Sequence, residues 1–170
     1  AVLDGDEIVY LARAATRRIL SIGLAVGSRL PAASTSMGRV LLAYADEPTR
    51  TRYLARVRLT KHTPRTIVDR AALSAELSRV GELGYAVVDQ ELELGLRSLA
   101  VPIRRHDGTV VAAINVGVHA ARADRAALVG GFSRVLGQLT RINGVTRVAL
   151  QERTVPTTTA EAWGSYSDAI

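Results

Sequence analysis

Hydrophobic residues recur at different spacings in the two halves of this chain. After a short stretch of β-branched and aliphatic residues, apolar positions up to residue 84 recur three and four residues apart, which is the spacing of one helix face. From residue 85 the apolar residues alternate with small or polar ones over short runs, which is typical of strands. The pattern therefore predicts two strands, three helices, three strands and a final helix, in that order.

The first half is predicted to contain a β-hairpin and three helices. The hairpin strands are assigned to residues 7–13 and 18–24, and residues 25–33 to a loop rich in Gly and Pro. A side chain able to cap a helix N-terminus marks each helix start. The helices are assigned to residues 35–45 behind Ser34 or Thr35, to a segment that begins at Asp46-Glu47-Pro48, and to a segment from Asp69 to the stop at Gly84.

The second half is predicted to form strands at residues 85–90, 96–105 and 110–119, with a hairpin turn at His-Asp-Gly-Thr between the last two. A last helix is assigned to about residues 124–142, and the polar residues 151–170 to a tail that follows a single domain over residues 1–150. Hairpin connections imply antiparallel pairing. We therefore expect an α+β fold in which a largely antiparallel sheet of about five to six strands is flanked by helices.

Composition narrows the class of protein. With 48% hydrophobic but only 4% aromatic residues, the core must be built from Ala, Val, Leu and Ile. No apolar run approaches the roughly 18 residues of a membrane span, and the lack of cysteine excludes disulfides and is compatible with a cytoplasmic location. The net charge of +6 comes from arginines spread along the chain without aromatic neighbours, so direct binding of nucleic acid is not favoured.

Two strands predicted to be neighbours carry short polar side chains. Alternation puts Asn115 and Gly117 on one side of their strand, and Ser98 beside small residues on the preceding strand. A buried Asn or Ser needs a hydrogen-bond partner, which a ligand can supply. The alternative is that Ser98 and Asn115 satisfy each other or the backbone.

The stretch Ser34-Thr35-Ser36-Met37-Gly38 forms a second candidate. Backbone N–H groups in the first turn of a helix have no partner within the helix and attract anions. The amides of Ser36, Met37 and Gly38 would lie in that turn, and with the polar strand residues we expect them to enclose a cavity for an organic anion. The alternative is a capped helix in which Gly38 serves close packing.

Catalysis has little support. Ser98, His119 and Asp89 can be nominated as a triad, but the chain has no Gly-x-Ser-x-Gly turn around a nucleophile. The three histidines lack metal-ligand spacing, and no phosphate-binding glycine motif occurs. We therefore expect no enzyme activity, no metal and no cofactor, and keep a serine hydrolase and a purely structural dimerisation module as alternatives.

Two segments, RLPAASTSMGRVLLA and GYAVVDQELELGLRSLAVPIRRHDGTVVAAINVGVH, resemble the effector-binding domain of the IclR family of bacterial transcriptional regulators. The resemblance spans about residues 5–145, and the opening segment is similar to the branch that regulates aromatic-acid and β-ketoadipate pathway genes. The family motifs are carried here by Gly84, Tyr85, Asp89, Glu93, Gly95, Arg97, Ser98, Ala100, Pro102, Asp107 and Gly108.

This resemblance implies a GAF-like domain that binds a small organic acid and assembles into a homodimer or homotetramer. It also implies an N-terminal winged helix-turn-helix that binds operator DNA. These 170 residues show no recognition helix with a basic face, so we expect this chain not to bind the operator by itself. The ligand positions of the family correspond here to Ser36, Met37, Val88, Ser98, Asn115 and Gly117.

Two of these positions depart from the family pattern. Val88 stands where the family has an acidic residue, with Asp89 next to it on the opposite strand face, and Gly117 stands in place of a hydroxyl. Both changes make the predicted pocket less polar and roomier, which favours an aromatic ring or a longer diacid over a small oxo-acid.

An arginine is the natural partner of a ligand carboxylate. Arg13 is the candidate, whereas Arg97 faces away from Ser98 by alternation and is expected to form a structural salt bridge, with Glu93 as the suggested partner. The predicted effector-binding residues are therefore Ser36, Met37, Gly38, Val88, Asp89, Ser98, Asn115, Gly117 and Arg13.

Overall fold

A computed structural model of the protein describes residues 1–14 and 23–131. Within these ranges the elements are β1 Val2–Asp4, β2 Glu7–Val9, β3 Arg29–Pro31, a 3₁₀ turn Ala32–Ser34, α1 Ser36–Ala43, α2 Glu47–Arg56, α3 Arg70–Leu83, β4 Ala86–Asp89, β5 Leu96–Arg104 and β6 Val110–His119. A further helix begins at residue 125 and is described as far as residue 131. The predicted α+β class is confirmed, while the end of the last helix and the tail lie outside the described residues.

The N-terminal strands differ from the prediction. β2 ends at Val9 instead of residue 13, and it pairs antiparallel with β1 on one side and with β3 on the other. The loop assigned to residues 25–33 is present at residues 25–28, but the assignment was wrong from residue 29 on, where β3 and the 3₁₀ turn begin. The second predicted strand, 18–24, lies largely outside the described residues. Each strand has only three residues, too few to show alternation, and a 2.7 Å ion pair between Arg29 and Glu7 links β3 to β2.

The three helices confirm the predicted starts, and α3 also confirms its predicted stop at Gly84. Thr35, Asp46 and Asp69 precede α1, α2 and α3, and the side chain of each accepts a backbone N–H from the first turn. Gly84 follows α3 in the left-handed conformation with φ 79°, which glycine adopts without strain. These local signals explain why the helical part of the fold could be predicted.

The second sheet also confirms its prediction. β4, β5 and β6 pair antiparallel in that order, and the Arg105 N–H donates to the Thr109 carbonyl at 2.8 Å to close the turn between the last two strands. Ala1 and Ala113 exchange backbone hydrogen bonds of 2.8 and 2.9 Å. This exchange sets β1 beside β6, but the strands of the described residues form two three-stranded sheets, β1-β2-β3 and β4-β5-β6, and not the single sheet of five to six strands that was expected.

Each face of the β4–β6 sheet packs against different helices. Small side chains, among them Ala100 and Ala113, form one core with α1 and α3. On the other face, larger side chains such as Leu99 pack against Leu128 of the helix that begins at residue 125. None of the helices in the described ranges is long and apolar enough to cross a membrane. The face turned to α1 is the one that carries Ser98.

Candidate functional site

The start of α1 leaves two buried amides without a partner. Thr35 is extended (φ −120°, ψ 145°), and its hydroxyl accepts the Gly38 N–H at 3.2 Å. No described residue accepts a hydrogen bond from the N–H groups of Ser36 and Met37, although both residues are buried. Unpaired donors at the positive end of a helix dipole can bind an anionic group.

The hydroxyl of Ser36 meets β5 beside these amides. Its Oγ donates to the Oγ of Ser98 at 2.9 Å, and the two side chains are only 1% and 7% exposed. Ser98 pairs with Val88 of β4 and with Gly117 of β6, so these three residues share the sheet face turned to α1. The structure thus brings the helix start and the predicted strand residues together.

Asn115 and Gly117 form the more open side of this site. Both are half-buried, and the register places Asn115 opposite Ala100, next to the Ser98–Gly117 pair. The side chain of Asn115 makes no hydrogen bond within the described part of the chain. A Cβ added to Gly117 would lie 3.6 Å from Leu96 Cδ1, an ordinary contact, so the glycine leaves room for about one methyl-sized group.

The hydroxyls of Ser36 and Ser98 contact each other directly, and the cavity expected around them stays a prediction. Each buried hydroxyl needs a partner, and Ser36 and Ser98 are partners of each other. Two clefts of about 210 and 300 Å³ lie beside α2, and neither is lined by Ser98 or Asn115. A ligand at the α1 start would therefore replace the Ser36–Ser98 hydrogen bond and approach past Asn115.

Asp89 is not brought to this site. It lies on the opposite face of β4, where Oδ1 accepts from Arg97 Nε and Oδ2 accepts from Arg65 Nη1, each at 3.0 Å. Partial burial of the carboxyl opposes ionisation, but hydrogen bonds from Arg97 and Gln90 outweigh it and lower the pKa of Asp89 below its ordinary value. Arg97 thus forms the structural ion pair predicted for it, and the partner that the structure shows is Asp89.

Arg13 and Gly38 have other surroundings than the ones predicted. Arg13 is exposed and donates to the Leu24 carbonyl at 2.5 Å, and within the described ranges no hydrogen bond joins it to α1 or β5. A Cβ on Gly38 would lie 2.2 Å from the Ala32 carbonyl oxygen, and its amide is taken up by Thr35. The alternative reading of Gly38 therefore holds: it allows α1 to pack closely on the 3₁₀ turn.

The nominated catalytic triad is not assembled. Ser98 bonds to Ser36, His119 Nδ1 accepts the Ala121 N–H at 3.3 Å, and Asp89 lies on the other face of the sheet. Nor do the residues in the described ranges include a group of three or more side chains that could hold a metal ion. The geometry gives no support to the hydrolase alternative.

Sequence reasoning missed a buried ion pair behind the site. Arg39, 1% exposed, donates to both carboxylate oxygens of Glu91 at 2.8 and 2.5 Å, and its Nε donates to the Ala33 carbonyl at 2.9 Å. Glu91 also accepts the Ile67 N–H at 3.0 Å. This network ties α1 to the loop between β4 and β5. The signal available was an arginine inside the apolar run of α1, which requires a buried partner.

The fold and the site define an α+β domain with a cluster of polar groups at a helix start, and the comparison with protein families agrees. Residues 1–140 match the family described as the C-terminal domain of the bacterial transcriptional regulator IclR. The chain therefore belongs to the IclR family, and these residues form the effector-binding domain of an IclR-family regulator.

Similar proteins support the predicted branch. The chain is 49% identical over 137 residues to the Pca regulon regulatory protein of Pseudomonas putida, covering 80% of this chain and 47% of that protein. It is similar in structure to a transcriptional regulator of Rhodococcus sp. RHA1, with a TM-score of 0.76, 44% identity and coverage of 81% and 55% of the two chains. It also resembles a double mutant of the PobR inducer-binding domain from Acinetobacter in complex with 3-hydroxybenzoic acid, with a TM-score of 0.73, 31% identity and 81% coverage of each chain.

Further relatives are the Pca operon regulatory protein and the p-hydroxybenzoate hydroxylase transcriptional activator, both of Acinetobacter baylyi, at 42% and 35% identity over 68% and 67% of this chain. This confirms the predicted family and branch. The chain spans about half the length of the curated relatives that it matches.

Proposed function

We propose that this chain is the ligand-sensing part of a DNA-binding transcriptional regulator, and that its effector is a small aromatic acid bound at the start of α1. The observation that carries the proposal is the convergence of the unpaired Ser36 and Met37 amides with the hydroxyls of Ser36 and Ser98. A carboxylate can accept hydrogen bonds from all of these donors. No arginine is required, because the amides and the helix dipole supply the positive potential.

The sheet face beside these hydroxyls suits the body of an aromatic ring. Val88 and Ala100 are buried and apolar, and Gly117 adds no side chain. Asn115, at the open end, has an amide free to donate to or accept from a ring hydroxyl. The PobR complex with 3-hydroxybenzoic acid supports this ligand class, since that domain resembles this one.

In the whole regulator, effector binding would act on a winged helix-turn-helix through the arrangement of subunits in a homodimer or homotetramer in the cytoplasm. An effector can shift that arrangement only by its difference in affinity for the two states. The chain by itself is expected to bind the effector, to leave operator DNA unbound and to catalyse no reaction.

Isothermal titration calorimetry tests the effector class. The chain is titrated with 3-hydroxybenzoate, 4-hydroxybenzoate, protocatechuate, β-ketoadipate and pyruvate, and we expect the aromatic acids to bind more tightly than pyruvate. Ser98→Leu should abolish binding because its larger side chain fills the site. Ser78→Ala, on the exposed side of α3, is the matched control and should change nothing. If no acid binds below millimolar concentration, or if Ser98→Leu binds as the wild type does, the proposal fails.

A further inference from the structure

A second cleft lies beside α2, apart from the Ser36–Ser98 site. It has a volume of about 300 Å³ and lies between β2, the 3₁₀ turn and the segment that follows α2. Its walls combine the apolar side chains of Val57 and Leu59 with the hydroxyl groups of Ser34 and Tyr53. This volume reaches the lower end of the range of small-molecule sites.

One buried hydroxyl on the walls of this cleft lacks a hydrogen-bond partner in the described part of the chain. Tyr53 is 2% exposed, and its phenol oxygen is buried and unpaired, with the backbone of Ala33 beside it. The Ser34 hydroxyl also makes no hydrogen bond to a described residue, but it is not a fully buried group. Burial raises the pKa of Tyr53 to about 12, against a smaller opposite effect of the Ala33 backbone, so the phenol keeps its proton and can donate. A buried hydroxyl without a partner, such as that of Tyr53, is costly, and a ligand oxygen would satisfy it.

One arginine at the mouth of the cleft has no acidic partner among the described residues. Both carboxylates that line it are already paired, Asp6 with Arg56 at 2.8 Å and Glu7 with Arg29 at 2.7 Å. Arg58 also lines the cleft and forms no ion pair with any described residue. A carboxylate is the natural partner of such a guanidinium.

We propose that this cleft is a second small-molecule site, for a small carboxylic acid that has an apolar body and one further oxygen atom. The carboxylate pairs with Arg58, the apolar body lies against Val57 and Leu59, and the Tyr53 phenol donates to the remaining oxygen beside Ser34. The assignment rests on residues that the Ser36–Ser98 site does not use, so it stands whether or not that site binds an effector.

The two sites lie on either side of one short turn. Ser34 lines the cleft, Thr35 caps α1, and Ser36 reaches Ser98, so three consecutive hydroxyls serve three different purposes. A ligand held by Ser34 and Tyr53 acts on the turn that positions Ser36. Occupancy of one site should therefore change the affinity of the other, and reciprocally.

Fluorine NMR of the whole chain labelled with 3-fluorotyrosine follows Tyr53 directly, and Tyr53→Phe assigns its resonance among the five tyrosines. The probe is 4-hydroxybenzoate, titrated into the wild type and into Ser98→Leu. We expect the Tyr53 resonance to shift saturably in both proteins. Arg58→Gln should weaken this binding by about tenfold, because it removes a charge-assisted hydrogen bond. Lys61→Gln, an exposed cation nearby that does not line the cleft, should leave it unchanged.

Three results would overturn the second site. They are a Tyr53 resonance that does not shift at millimolar probe, a shift that survives Arg58→Gln undiminished, and a shift in the wild type that disappears in Ser98→Leu. Calorimetric binding that Ser98→Leu removes, together with an unmoved Tyr53 resonance, would refute this site and leave the effector site standing.

Discussion

Two polar clusters flank α1, and they differ in how completely their hydrogen bonds are satisfied. In one, Arg39 donates to both oxygens of Glu91 and to the Ala33 carbonyl, and Glu91 accepts a further backbone N–H. In the other, the hydroxyls of Ser36 and Ser98 satisfy each other, but two buried amides and the Asn115 side chain have no partner among the described residues.

The difference separates polar groups that hold the fold from polar groups that can receive a ligand. A buried network whose members are all paired fixes the position of its elements, and opening it exposes a buried charge. Unpaired donors grouped in one place make no hydrogen bond within the fold, so they are available to bind a ligand. Both clusters contain buried polar groups, so burial alone does not distinguish them. The number of their polar groups that lack a hydrogen-bond partner does.

The largest expected effect lies in the paired cluster. Glu91→Gln should lower the free energy of unfolding by about 3–5 kcal/mol, because it removes the carboxylate that is hydrogen-bonded to the buried Arg39 guanidinium and leaves only the more distant Glu76, at 3.9 Å, as a countercharge. Urea unfolding measures this loss. Asp6→Asn removes the partner of the exposed Arg56 and, as the matched control, should cost about 1 kcal/mol or less. If the two variants lost the same small amount, the contrast between the clusters would fail.

Two glycine-to-alanine substitutions test how closely the start of α1 packs against the 3₁₀ turn. Gly38→Ala should destabilise the fold by about 1–3 kcal/mol, because its Cβ would overlap the backbone of Ala32. It should also weaken binding of 3-hydroxybenzoate by displacing the Ser36 and Met37 amides. Gly81→Ala, in a helix position where a Cβ meets nothing within 4 Å, should instead stabilise by about 0.5–1 kcal/mol. Thermal unfolding of both variants measures these changes in stability. A Gly38→Ala variant as stable as the wild type would contradict the close packing.

The smallest expected effect concerns the pH dependence on the far face of the sheet. The pKa of Asp89 is lowered in the folded state, so the stability that its ionised form contributes is present above its ordinary value of 3.8 and is lost as the pH falls through the lower folded value. The difference in unfolding free energy between wild type and Asp89→Asn should therefore be larger at neutral pH than below pH 3.8. Effector binding should not change, because Asp89 faces away from Ser98. Loss of binding in Asp89→Asn would place that carboxylate in the site after all.

The elements that could be predicted from the sequence are those defined by residues close together in the chain. Capping side chains before α1, α2 and α3, and alternation along β5 and β6, act between near neighbours in the chain and were readable. The three-residue strands β1 to β3 are defined by partners across the sheet, and Pro31 ends β3. Such strands carry no periodic pattern of their own, which is why the loop assigned to residues 25–33 was wrong at β3.

The candidate site shows the same limit. Alternation was sufficient to place Ser98, Asn115 and Gly117 on one face, since the register follows from the hairpin turn. The ion pair of Arg39 with Glu91, by contrast, joins residues 52 apart in the chain, and no local pattern selects that partner. Nor could the sequence reveal which hydroxyls are left unpaired, because that depends on the distance of every neighbour.

Amide-resolved NMR during a titration with 3-hydroxybenzoate tests the central claim most directly. If the effector carboxylate binds at the start of α1, the amide protons of Ser36 and Met37 should move downfield saturably, with the dissociation constant obtained by calorimetry. The Gly38 amide, which donates to Thr35, should move much less. Binding of the acid that leaves the Ser36 and Met37 amides unmoved would contradict the account.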